Sequence, residues 1–140
     1  MGTHSLTIFK DGKDEILVMY RQFDGYCAGH GAELLEILKD KQLVNGLPCG
    51  AGDPQMATLA NGMPCLAATV IAHFKKGPGS FYLHRAKMRD AGEEYRYTVY
   101  DKDDIIYLKV QAGYGKKWET LYDGPAKDFD PEKAEPKEKA

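Results

Sequence analysis

The 140-residue chain has no long apolar run, no close pair of cysteines and little net charge, and each absence removes a class of function. No stretch approaches the ~20 consecutive apolar residues that a bilayer span requires. The N-terminus lacks the charged and apolar regions of a signal peptide, and Leu6 stands where a myristoylation signal has Ser or Thr. A cytoplasmic protein is therefore expected. The three cysteines, Cys27, Cys49 and Cys65, are odd in number and form no CxxC pair, which argues against an extracellular disulfide framework and for reduced thiols. A formal net charge of -2 provides no global field for nucleic acid or anionic lipid, so neither extended nucleic acid nor a membrane is the expected partner.

Named catalytic motifs are also missing. There is no GxSxG elbow, HExxH pair or kinase signature, and no Gly-Lys-Ser/Thr of a phosphate loop. No internal repeat is evident.

What remains is the composition of an ordinary globular domain, 43% apolar and 29% charged. A chain of this length buries roughly 68% of the surface its unfolded form exposes, so it needs no disulfide staples. The runs 5-SLTIFK-10 and 15-EILVMYRQ-22 flank Asp11-Gly12, a strong hairpin signal because both central residues of a type I′ turn need positive φ. Along the second run, Ile16, Val18 and Tyr20 are expected to share one face and Leu17, Met19 and Arg21 the other. The stretch 32-AELLEILKDKQL-43 reads as an amphipathic helix with Leu34, Leu35, Ile37 and Leu38 on its apolar stripe. Residues 44–63 read as a mostly irregular connection with one short helical turn. A second helix is expected over 64–76, opened by Pro64, stopped by Gly77-Pro78-Gly79, and apolar nearly all round, hence central and buried. Strands return at 80–86, 95–101, 104–112 and 117–124, with a turn at 101-DKDD-104.

The order β-β-α-α-β-β-β-β implies an α+β, two-layer domain over residues 1–125: a mostly antiparallel sheet of about six strands with two helices on one face. The charged, proline-bearing stretch 126-AKDFDPEKAEPKEKA-140 is expected to be a disordered tail.

One loop stands out, 20-YRQFDGYCAGHG-31, between strand and helix. Gly25, Gly29 and Gly31 could let the backbone approach an anionic ligand at the helix N-terminus, and Arg21, Asp24, Tyr26 and His30 add polar and aromatic groups. However, 29-GHGAEL-34 lacks the third glycine of a dinucleotide fingerprint. Tyr20, Tyr26 and Tyr82 are candidate stacking partners, and His84 and Arg85 lie in a basic cluster with Lys75, Lys76, Lys87 and Arg89 that would suit a phosphate or carboxylate if Arg85 projected near the loop. Cys27, His30, Cys49 and Cys65 are weak zinc candidates, since only one pair is close in sequence. Cys27 and His30 could instead serve a hydrolase or transferase, with His73, His84, Asp24 and Asp53 as other bases or orienters, although His73 reads as a core residue.

The N-terminal GTHSLTIF, the YRQFDGYCAGHG loop and the segment from 62-GMPCLAATVIAHFK to GSFYL-83 resemble a group of small, uncharacterised bacterial and phage proteins. These carry a Gly-Thr-Arg/His start and an Asp-Gly-Tyr-x-x-Gly-x-Gly loop. The resemblance spans about the first two thirds of the chain, departs at Cys27, where the group has proline, and brings no activity with it.

The reading favoured by the residues is a non-enzymatic protein that binds a small anionic or nucleotide-like ligand without a cofactor. In a phage-borne chain, acting in the host cytoplasm, its concrete form is sequestration of a host nucleotide immune signal. The expected ligand-binding residues are Arg21, Asp24, Gly25, Tyr26, Gly29, His30, Gly31, Tyr82, His84 and Arg85. The alternatives are the Cys27/His30 enzyme and a protein-protein interaction module. Small ligand-sequestering proteins often complete their pockets across a symmetric interface, and an exposed sheet edge could make the chain a homo-oligomer.

Overall fold

The computed structural model describes residues 2–50 and 52–134. Strand β1 (Ser5–Asp11) returns as β2 (Asp14–Arg21). The turn lies one residue later than expected: Asp11 pairs with Asp14, and Gly12 takes the left-handed φ of 63°. A bulge between the Phe9↔Leu17 and Lys10↔Glu15 pairs makes Ile16 the extra residue, so it packs with the main core rather than beside Val18 and Tyr20.

After a single π-helical turn at Cys27–Gly31 comes helix α1 (Ala32–Leu38). It stops short of residue 43 because Gln42–Val44 leaves as strand β3 and pairs in parallel with β4 (Leu59–Asn61). The connection between them, expected to be mostly irregular, holds a 3₁₀ turn at Pro54–Thr58, capped by the Asp53 carboxylate accepting from Gln55 N at 2.9 Å. Helix α2 (Gly62–Phe74) contains Pro64 in its first turn, where no amide is needed. It is not buried all round. Pro64, Ala68, Ala72 and His73 face solvent, so His73 is no core histidine.

Strands β5 (Phe81–Arg85), β6 (Tyr95–Lys102), β7 (Ile105–Tyr114) and β8 (Lys117–Pro125) complete a six-stranded sheet of order β5-β2-β1-β6-β7-β8. The β1–β6 pair is parallel and every other pair antiparallel. Asp103 and Asp104 make the β6–β7 turn with φ of 54° and 62°, a left-handed pair that short polar side chains tolerate.

The fold is thus α+β, with both helices on one face of a mostly antiparallel sheet. Strand alternation sends Phe9, Met19, Tyr97, Val99, Leu108 and Val110 toward that face, where they meet Leu34, Leu38, Met63, Leu66 and Val70. Each fully buried aliphatic side chain there contributes about 1.5–3 kcal/mol. The other face carries a smaller cluster of Leu6, Ile8 and Val18, partly roofed by Met88 and Ala91 of the β5–β6 connection.

Residues 126–134 differ from the expected tail. Ala126, Phe129 and Ala134 are buried, and the Phe129 ring packs 5.3 Å from that of Tyr122. Apolar groups spaced among the charges are enough to dock this segment. Residues 135–140 of the expected tail lie outside the described residues.

Candidate functional site

The loop after β2 closes on itself. Gly25 N donates to Thr3 O (2.8 Å), His30 N to Asp24 O (2.8 Å), and Gly29 N and Gly31 N to Tyr26 O (3.0 and 3.4 Å). Tyr97 Oη donates to Gly25 O at 2.7 Å. A Cβ on Gly25 would stand 2.7 Å from Ser5 Cβ, and one on Gly29 would stand 2.5 Å from Asp24 O. These glycines make room for the protein's own backbone. The amides expected to hold an anion are committed elsewhere, and α1 is only seven residues long.

Behind the loop lies a buried polar chain. His30 has no exposed surface; its Nδ1 is 3.1 Å from Arg21 Nη1 and its Nε2 2.6 Å from Thr7 Oγ1. A guanidinium only donates, so Nδ1 accepts and Nε2 carries the proton, donating to Thr7. Burial, reinforced by the Arg21 charge, pushes the imidazole down to about 3. Arg21 also donates from Nε to Phe23 O (2.5 Å), pairs with Glu33 Oε1 (2.5 Å), and lies 5.7 Å and 5.1 Å from the Phe74 and Phe81 ring centres. With both ring nitrogens of His30 held, none is left to act as a base toward Cys27 or to ligate a metal. Among the described residues, no three or more His, Cys, Asp or Glu side chains converge as a metal site would require.

The remaining expected site residues scatter. Asp24 and Tyr26 are exposed and joined by a 3.3 Å hydrogen bond. Tyr82 and His84 sit on the opposite sheet face beside Tyr20, their ring centres 6.2 Å and 6.1 Å from its ring, while Tyr20 Oη lies 2.8 Å from His4 Nδ1. Arg85 is opposite Leu17, whereas Arg21 is opposite Phe81. That separates the two cations by four strand positions, about 13 Å. Arg85 therefore does not project near the loop.

A different grouping forms on the open sheet face. Between the β5–β6 connection and strands β1, β2 and β6–β8 is a hollow of about 410 Å³, lined by Ile8 and Thr98 with Lys10, Glu15, Arg89, Arg96, Tyr100, Lys109, Gln111 and Asp123. Arg89 is clamped by a two-pronged contact with Glu15, at 2.9 and 3.0 Å. Burial alone would raise the Glu15 carboxyl, but Arg89, the Lys87 amide and Lys10 hold it below its ordinary range. Arg96 is held by Glu93 at 2.9 Å and lies 3.9 Å from the Trp118 ring centre. Burial, opposed by backbone amides and Arg96, leaves the Glu93 carboxyl lowered as well. Tyr100 donates to Asp123 Oδ1 at 2.5 Å, and burial together with that bond pushes its phenol up. Lys10 and Lys109 make no ion pair among the described residues.

Of the residues that line the hollow, only Arg89 belongs to the basic cluster expected from the sequence. The signal was present in the period-two alternation of Arg96, Thr98 and Tyr100, and of Lys109 and Gln111, which marks one polar face of two adjacent strands. Among the described residues no helix is long and apolar enough to cross a membrane. Compared with models of known families, with curated proteins and with solved structures, the chain matches none.

Proposed function

We propose that the chain is a non-enzymatic binding protein for a small anionic, nucleotide-like ligand, and that the ligand sits in the open-face hollow rather than at the glycine loop. The observation that carries this reading is the meeting of two unpaired ammonium groups, Lys10 and Lys109, with the Thr98 hydroxyl and Gln111 amide in a concavity of about 410 Å³. That volume is within the range of small-molecule sites, roughly 300–1,000 Å³. The local carboxylates do not cancel the attraction, since the lining sets four cations, Lys10, Arg89, Arg96 and Lys109, against two carboxylates, Glu15 and Asp123. Tyr100 adds an aromatic wall. A protein of this kind acts by holding its ligand, which in a phage-borne chain means sequestering a host nucleotide signal.

Titration calorimetry against mono-, di- and cyclic nucleotides tests the reading. Binding should weaken as salt rises and should drop about tenfold or more in a Lys10→Ala/Lys109→Ala double variant. Folded protein silent to the whole panel, or binding indifferent to that variant, would sink the assignment.

A further inference from the structure

Strand β5 forms one edge of the sheet, with one side unpaired by any strand among the described residues. Antiparallel pairs alternate residues that exchange both main-chain bonds with residues that exchange none. The bond from Gln22 N to Ser80 O (2.8 Å) sets that phase for β2 and β5, so Tyr82 and His84 bond inward. The main-chain groups of Phe81, Leu83 and Arg85 consequently point away from the sheet. At the ends of β5 these groups have local partners: Phe81 N donates to Gly79 O (2.7 Å), Lys75 Nζ donates to Phe81 O (2.8 Å), and Met88 N approaches Arg85 O (3.3 Å). At the middle, nothing among the described residues reaches the Leu83 N–H or C=O from that side. The Leu83 side chain is 56% exposed, beside an apolar hollow of about 160 Å³ lined by Met19, Ile71 and Phe81.

We propose that two copies of the chain pair through β5, antiparallel about a two-fold axis at Leu83. In this register the two Leu83 residues exchange both main-chain bonds. Arg85 N–H of each copy donates to Phe81 O of the other, a carbonyl with a second lone pair beyond the one that Lys75 uses. On the helix-side face, Leu83 meets Leu83 over the apolar hollow and each Arg85 lies beside a Phe81 ring of the other copy. On the opposite face Tyr82 meets His84. No two directly opposed strand residues carry like charges, although Lys75 and Arg21 stand around the Phe81 that each Arg85 approaches; centring the pair on Arg85 would set two guanidinium groups directly against each other. The other sheet edge lacks this self-match: β8 exposes Lys117, Glu119 and Asp123, charges that guard an edge against pairing.

Sedimentation equilibrium from low to high micromolar protein tests the proposal, using the unmodified chain, Leu83→Lys, and Thr120→Lys on the opposite edge. The unmodified chain should dimerise reversibly, and Leu83→Lys should raise the dimer dissociation constant about tenfold or more. Because Leu83 is exposed, that variant keeps its melting temperature at concentrations where both chains are monomeric, and Thr120→Lys should dimerise normally. In hydrogen exchange, the Leu83 amide should gain protection as concentration rises. A chain that stays monomeric throughout, or a dimer that Leu83→Lys leaves intact, would overturn the proposal.

Discussion

His30 Nδ1 lies 3.1 Å from Arg21 Nη1 in the interior, so a neutral imidazole is held against a permanent cation. The arrangement is stable because the ring presents a lone pair to the guanidinium and its only proton to Thr7. Protonation would put two positive groups in contact inside the core.

A pH dependence follows from this contact. The imidazole titrates near its ordinary 6.5 when unfolded and at about 3 when folded, so between those values the unfolded chain binds a proton that the native chain does not. Stability from His30 is complete above pH 6.5 and declines as pH falls toward 3. The lowered carboxyls of Glu15 and Glu93 add a second loss below their unfolded value of 4.5. Melting curves should therefore begin to shift down below about pH 6.5, ahead of the carboxylate range. Long-range proton–nitrogen NMR should find the neutral Nε2–H tautomer of His30 at pH 5, and an imidazolium signal there would contradict the assignment.

Thr7→Val keeps the shape of the β1 side chain but removes the acceptor of the buried His30 proton. A buried donor left without a partner costs about 1–3 kcal/mol, and urea unfolding should register a loss of that size. A loss near zero would mean that Nε2 does not donate to Thr7.

Gly25→Ala separates the structural role of the loop from a binding role. Its Cβ would meet Ser5 Cβ at 2.7 Å and Thr3 O at 2.9 Å, and crowding of this kind costs about 1–3 kcal/mol. Thermal unfolding should show that cost. A variant as stable as the parent but with weakened nucleotide binding would restore the loop as a ligand site.

Phe129→Ala tests whether the segment after β8 belongs to the domain. The ring is 3% exposed and packs against Tyr122, so its removal should cost about 3–5 kcal/mol. Indifference to the substitution would return residues 126–134 to the status of a dispensable tail.

Period-two alternation, an Asp-Gly turn and an apolar stripe of helical period are local signals, and they suffice to read the α+β class, both helices and the strands of the large sheet from the residues alone. Boundaries slipped where a distant partner decided them. The first helix ends at Leu38 because β3 must reach β4, and Ile16 changes face because a bulge absorbs it.

The amino-acid sequence by itself determined the elements and the two-layer class, because backbone geometry ties side-chain period to secondary structure. It also picked out Arg21 and His30 as unusual residues. Only the tertiary structure decided that they are an internal hydrogen-bonded pair, that the loop glycines make room for Thr3, Ser5 and Asp24, and that Lys10 and Lys109 share a hollow. Those relationships join residues that strand order brings together: β1 lies in parallel beside β6, and β6 beside β7, so Lys10 and Lys109, far apart along the chain, line one concavity. Period and composition carry no record of which strands will be neighbours; long-range packing sets that order.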